Sequence, residues 1–188
     1  LEQIDRMGAR EHTLIVFTAD QGWNAGHHGV WGKGNGTVPF NLYDESVRVP
    51  MIWNLPGRIR AGSSTPAMVS HYDFLPTLLD MAGAPAPRIE RAPGRSYRPV
   101  LEGAKRWSRD RLFFEYAYVR GMRTATRKIV MRDGFPGEFY DLVADPGETR
   151  NLWDERQPER KEAERQTGEF FRGLGAPPAQ GGVADDSH

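Results

Sequence analysis

The sequence predicts an α/β chain: strands and helices of a mixed-sheet core over residues 1–105, then a small antiparallel sheet with a closing helix over 106–175. Three observations carry this expectation. Thr13 to Thr18 (TLIVFT) is an uninterrupted apolar, β-branched run, the pattern of a strand buried on both faces of a parallel sheet. Strand-like runs linked by turns follow residue 107, as in an antiparallel sheet. Two segments with helical spacing of apolar residues, one in each part, complete the alternation.

Composition narrows the function classes. The 188 residues suffice for one ordinary domain or for part of something larger. Lys and Arg number 25, as do Asp and Glu, so the basic excess that a general nucleic-acid or acidic-membrane binder needs is missing. With no Cys there is no disulfide framework, thiolate metal site or thiol nucleophile. No apolar run approaches the ~20 residues of a membrane span, and no signal peptide opens the sequence. Leu1, Ile4 and Met7 stand at helical spacing before Gly8. The sequence is thus expected to start inside an amphipathic helix, as a cut piece of a longer protein would, and the missing leader then carries no weight.

The elements follow in order. TLIVFT ends in Ala19, Asp20, Gln21 and Gly22, and in parallel sheets the polar groups just past a strand's carboxyl end form the active-site crevice. Residues 22–39 are Gly-rich, without a period, and read as a long functional loop. Val47 to Trp53 is a second strand candidate, short because Pro50 interrupts it. Asp73 is expected to cap a helix through Phe74, Leu75, Leu78, Leu79 and Met81, with Pro76 in its first turn and Gly83 at its end. Residues 84–99, rich in Pro and Arg, read as a surface connection. Leu112–Val119, Lys128–Met131 and Glu138–Leu142 are the strand candidates of the second part. Ala163, Thr167, Phe170, Phe171 and Leu174 mark one face of the last helix, and residues 176–188 read as a disordered tail.

Few residues invite chemistry. Asp20 and Gln21 offer two oxygen donors side by side at a strand end, a set that suits a hard cation such as Ca²⁺ or Mg²⁺ better than zinc; the plainer reading is that Asp20 caps the following turn. Lys33 lies between Gly32 and Gly34, where its ammonium can approach an oxyanion unobstructed, although a solvated loop lysine is the default. His27 and His28 are candidate proton donors or ligands. Trp23 and Trp31 suit stacking on a sugar or aryl group, or simple core packing.

The string as a whole says more than its members. FTADQGWNAGHHGVWGKGNG followed by LYDESVRVPMIW, then SHYDFLPTLLDMAGAPAP, then RKIVMRDGFPGEFYDLVADPGETRNL, resembles the second half of the sulfatase family (arylsulfatase type, alkaline-phosphatase superfamily), in the family's order throughout. The resemblance implies an alkaline-phosphatase-like core. It implies that Asp20 and Gln21 are one pair of ligands to a divalent cation, usually Ca²⁺, and that Lys33 contacts the sulfate oxygens. By the same resemblance His28 lies near the substrate entrance, in a catalytic or substrate-binding role; Trp31, from its stacking face, is read as substrate-binding. Asp44, Glu45 and Arg48 match a segment expected to make structural pairs. Ala25 and Asp44 depart from the family's Leu and Glu. The family's early Asp-Asp pair and its Cys/Ser-x-Pro-x-Arg precursor of the formylglycine nucleophile do not occur here, and Asp185-Asp186 sits in the tail, where it cannot substitute.

The reading is therefore the C-terminal portion of a sulfuric ester hydrolase acting on a sulfated sugar or aryl sulfate, inactive by itself, with a formylglycine supplied from outside these residues. The alternatives are a phosphoesterase or phosphonate hydrolase of the same superfamily, and a non-catalytic remnant. The family leaves a periplasmic or secreted location open.

Overall fold

A computed structural model describes residues 1–85, 90–104 and 106–175. Along the chain the elements are α1 (Glu2–Arg6), β1 (Ile15–Thr18), β2 (Asn24–Ala25), β3 (Trp31–Gly32), α2 (Asp44–Val47), β4 (Met51–Asn54), α3 (Phe74–Ala82), α4 (Arg98–Leu101), β5 (Arg111–Tyr116), β6 (Val119–Thr124), β7 (Arg127–Arg132), β8 (Glu138–Asp141) and α5 (Gln157–Gly173). They form two compact units, one of residues 1–20 and 49–109, the other of 21–48 and 110–188. The sequence reading places 21–48 with the first part; in the structure it belongs to the unit that holds the C-terminal sheet. The expected tail over 176–188 lies outside the described residues.

In the first unit the TLIVFT run does form a strand, but its described partner runs the other way. β1 pairs with β4 antiparallel, Ile15 opposite Asn54 and Phe17 opposite Ile52. Phe17 and Ile52 are both exposed, whereas Trp53 on the opposite face is buried. A continuous apolar run does not reveal the direction of its neighbour, and here it is one-sided among the described residues. Pro50 sets the start of β4: the chain leaves α2 at Val47 and pairs only from Met51 onward, since proline has no N–H for a ladder.

Trp53, Leu55, Met81, Tyr97 and Val100 make this unit's core, so the predicted surface connection before α4 contributes the almost fully buried Tyr97. Burial pushes the Tyr97 phenol up to about 12. Helix α3 ends as expected, at Gly83 in a left-handed conformation. Its start differs. The Asp73 carboxylate does not cap α3 but turns back, accepting from the amides of Ser70 (2.9 Å) and Arg95 (3.0 Å) and pairing with Arg109. Burial nevertheless raises the Asp73 carboxyl above its ordinary value, against those donors.

The second unit is built on the antiparallel meander β5-β6-β7-β8. The predicted strand Leu112–Val119 is two strands, broken at Ala117, which has φ of 50°. VRGMRT, with arginines and a glycine, carries too little apolar signal to be read as the strand β6 that it forms. The closing helix lays Ala163, Thr167 and Phe171 inward, and Phe170 stacks on Phe113 with ring centroids 3.9 Å apart. Leu174 follows the helix as its C-terminal cap residue. The other side of the sheet holds Val119 and Val130 with Leu42 from the loop segment. No described helix is long and apolar enough to cross a membrane.

One glycine fixes the sheet's packing. Gly121 faces Phe114 across β5-β6, and a Cβ there would enter the Phe114 ring and approach the Ile129 carbonyl to 2.9 Å. Gly121→Ala is expected to lower stability by about 1–3 kcal/mol, the usual cost of overpacking a filled core, as read from the urea midpoint; an unchanged midpoint would show that Phe114 can move freely.

Candidate active site

The site residues read from the sequence all fall between Asp20 and Lys33. Asp20 is exposed, two residues past β1, and Gln21 is half-buried. The division between the two units falls between them. Neither side chain has a hydrogen bond or ion pair with another described residue, so their oxygens are uncommitted. A carboxylate and an amide oxygen fit a hard cation chemically. Among the described residues no cluster of three or more His, Cys, Asp or Glu could hold a metal.

Residues 22–39, read as a loop without a period, contain a small hairpin. Asn24 pairs with Gly32 and Ala25 with Trp31. Two tight turns flank Trp31 and Lys33, one at His27–Gly29 and one at Gly34–Gly36. Trp31 is 74% exposed and its indole lies against Gly26, where a Cβ would stand 3.4 Å from the ring. Lys33 is exposed and, among the described residues, its ammonium has no carboxylate partner. Gly32 has φ of 145°, a conformation that L side chains rarely adopt, so the position before Lys33 requires glycine.

His28 is placed differently from Lys33. Its ring stacks on Tyr43 (centroids 3.6 Å apart, planes within 6°) and its Nε2 lies 3.5 Å from Glu45 Oε2. These residues, with His27, Glu138 and Tyr140, line an open cleft of about 700 Å³ within the second unit. Burial raises the Tyr43 and Tyr140 phenols, and the Glu138 charge adds to both shifts.

Sequence reasoning missed what holds this loop in place. Lys128, on β7, has a fully buried side chain, with Nζ 3.0 Å from Asp44 Oδ1 and 2.7 Å from Glu148 Oε1. The contact to Glu148 is one of charge, because the oxygen lies out of hydrogen-bond alignment. Arg123 adds Nε at 3.1 Å and Nη2 at 3.0 Å to the Asp44 carboxylate, and the Asp44 amide donates to Glu148 Oε2 at 2.6 Å. The structural pairing expected for Asp44 is present. Burial alone would raise the Asp44 carboxyl, but Lys128 and Arg123 together hold it below its ordinary value. For Glu148 burial wins over Lys128, and its carboxyl is pushed up. The available signal was thin: a lysine within the apolar strand pattern RKIVM, and a glutamate in the turn DPGE.

Removing one partner of a buried ion cluster strands the others, at about 3–5 kcal/mol. Lys128→Met is expected to cost that much in urea denaturation of the protein followed by circular dichroism. A change below about 1 kcal/mol, the worth of an exposed ion pair, would mean that the cluster is solvated.

In sequence and in fold this is a sulfatase-family chain. More narrowly, the chain belongs to the family described as N-sulphoglucosamine sulphohydrolase, C-terminal, which it matches over residues 26–167. It is 32% identical over 178 residues to an N-acetylglucosamine-6-O-sulfatase of Bacteroides thetaiotaomicron, covering 87% of this chain and 30% of that protein. Among solved structures it is similar to BT4656 in complex with its substrate D-glucosamine-2-N,6-O-disulfate, with a TM-score of 0.81 and 30% identity over 97% of this chain and 39% of the other. It is also similar to the phosphonate monoester hydrolase of Agrobacterium radiobacter, with a TM-score of 0.78 and 25% identity over 92% of this chain and 38% of the other. The chain spans about a third of the length of such relatives.

Proposed function

We propose that the protein carrying this chain hydrolyses sulfate esters of amino sugars. The observation that carries the reading is Lys33: an exposed ammonium, free of carboxylates among the described residues and set between two glycines, within the segment matched to the family. A sulfate ester presents oxygens on which negative charge grows as the ester bond breaks, and a preorganised ammonium stabilises that charge. The sugar is suggested by the two relatives named above, one an N-acetylglucosamine-6-O-sulfatase and one bound to a glucosamine disulfate. Exposed Trp31, two residues before Lys33, offers an aromatic face to a pyranose ring.

Asp20 and Gln21 would hold a divalent cation, for which Ca²⁺ is the choice their oxygens and the family resemblance support. When bound, that cation supplies further positive charge at the sulfate oxygens. The nucleophile, a formylglycine by the same resemblance, would come from outside these residues, which contain neither Cys nor a Ser-x-Pro-x-Arg run. Within this chain Lys33 binds and orients the sulfate group, Trp31 packs on the sugar, and His28, in the hairpin turn that precedes Trp31, braces that turn against Tyr43 and Glu45.

The test is turnover by the full protein of N-acetylglucosamine 6-sulfate and 4-nitrophenyl sulfate against the matching phosphates and a phosphonate monoester. Sulfate esters are expected to be the preferred substrates, and Lys33→Ala to lower kcat/KM by about 10²-fold or more, the scale of losing one transition-state charge contact. Asp20→Ala should lower turnover and Ca²⁺ affinity together. Preference for the phosphonate would move the protein to the other branch of the superfamily, and normal kinetics in Lys33→Ala would return that residue to a solvated loop.

A further inference from the structure

Lys33 has no direct tether: its ammonium binds nothing among the described residues, and the glycines on either side contribute no side chains to hold it. Three buried polar residues are instead linked to the backbone on either side of it. Asn24 is 0% exposed, Asn41 3% and Ser46 5%; most buried polar groups are hydrogen-bonded, and here all but Asn24 Oδ1 of the side-chain polar atoms find partners. The Ser46 hydroxyl accepts from Asn24 Nδ2 at 2.6 Å and donates to Asn41 Oδ1 at 2.6 Å. From there the bonds run to both flanks of Lys33. Asn24 Nδ2 also donates to the Gly32 carbonyl at 3.3 Å, and the Asn41 amide donates to the Gly34 carbonyl at 2.8 Å. The Ser46 carbonyl, in turn, accepts from the amide of Gly22 at 2.9 Å, the residue after Gln21.

The glycines confirm how closely these segments meet. A Cβ on Gly34 would stand 2.6 Å from the Asn41 carbonyl oxygen, and one on Gly22 would collide with the Glu45 carbonyl. Ser46 itself sits on α2, one turn of helix that Asp44 fixes to Lys128 and Arg123. One hydroxyl therefore joins the backbone on both sides of Lys33, and the same residue's carbonyl reaches the backbone after Gln21.

We propose that Ser46 is a positioning residue, which sets the backbone on both sides of Lys33 through Asn24 and Asn41 and so aims the ammonium at the sulfate group. This rests on the reading of Lys33 as the sulfate-binding residue. Ser46 touches no substrate; it acts through Lys33, and its removal should matter only while Lys33 is there to be aimed.

A double-mutant cycle in the full protein tests this, with 4-nitrophenyl sulfate as substrate and thermal melting as the check on folding. Ser46→Ala is expected to lower kcat by about 10-fold, within what a sub-ångström to ångström misplacement of a catalytic group costs, with KM nearly unchanged. Ser46→Thr, which keeps the hydroxyl, should restore most of it. In the Lys33→Ala background the same Ser46→Ala change should alter kcat by less than about 2-fold, because coupled residues are not additive. If Ser46→Ala does not fold, Thr37→Val gives the same cycle in a weaker form. It removes the acceptor of Asn41 Nδ2, a 3.0 Å bond, together with the hydroxyl's own 2.8 Å bond to the Pro39 carbonyl, and about a 3-fold loss that vanishes beside Lys33→Ala is expected, in line with loss of modest hydrogen bonds. Equal losses in both backgrounds, or wild-type kcat in Ser46→Ala, would overturn the proposal and reduce Ser46 to a stability residue. Wild-type kinetics in Lys33→Ala alone would instead overturn the underlying reading of Lys33, and the proposal with it.

Discussion

The second unit depends on the buried ammonium of Lys128. Lys128 stands between two carboxylates from distant stretches of the chain, Asp44 at a sequence distance of 84 and Glu148, which lies 104 residues beyond Asp44. Without its charge those carboxylates would face each other in an environment that screens poorly. With it, and with Arg123, the cluster is balanced, and each partner holds the others in register. Desolvating such groups costs several kcal/mol apiece, which only close geometry and additional hydrogen bonds offset. The bidentate approach of Arg123 and the 2.6 Å bond from the Asp44 amide supply that geometry. The opposite shifts of the two carboxyls, Asp44 down and Glu148 up, follow from position: Asp44 has two cations, Glu148 one.

What this cluster secures is a loop with little regular structure of its own. Residues 21–48 contain two strands of two residues each and one turn of α-helix, far too few backbone bonds to hold a defined shape alone. Side chains make up the difference. Asp44 anchors the helical turn to the sheet, Leu42 enters the apolar layer with Val119 and Val130, and the Phe40 amide donates to the Tyr118 hydroxyl at 3.0 Å. A segment built this way can carry exposed, uncommitted side chains such as Lys33 and Trp31, since its stability comes from elsewhere in its sequence.

The parts of the structure legible in the sequence were those with local causes. Gly83 ends α3 because a left-handed residue favours glycine, and the face of α5 shows in the spacing of Ala163, Thr167 and Phe171. Asp20, Gln21 and Lys33 stand out in the sequence as motif words, by type and by order, and their roles are proposals. The rest was not local. β6 exists because its neighbours on both sides pair with it, although VRGMRT has little strand character. The direction of β4 relative to β1 is a matter of pairing, which an apolar run does not encode. Ser46 was passed over beside its charged neighbours Asp44, Glu45 and Arg48, because a serine acquires meaning only from the two asparagines that reach it. Lys128 and Glu148 looked like a strand lysine and a turn glutamate, and their pairing becomes visible only when the sheet has folded.

The central claim is that residues 21–48 and the sheet open as one cooperative body, closed by the Lys128 cluster. Native-state hydrogen exchange tests it most directly, through the amides of Gly22, Asn41, Asp44 and Ser46, each of which donates to a partner within the unit. The account predicts that these amides exchange with the same opening free energy as the β6 and β7 ladder amides, as members of one cooperative unit do. Exchange at those four positions markedly faster than in β6 and β7 would contradict it, showing a loop that opens independently of the sheet.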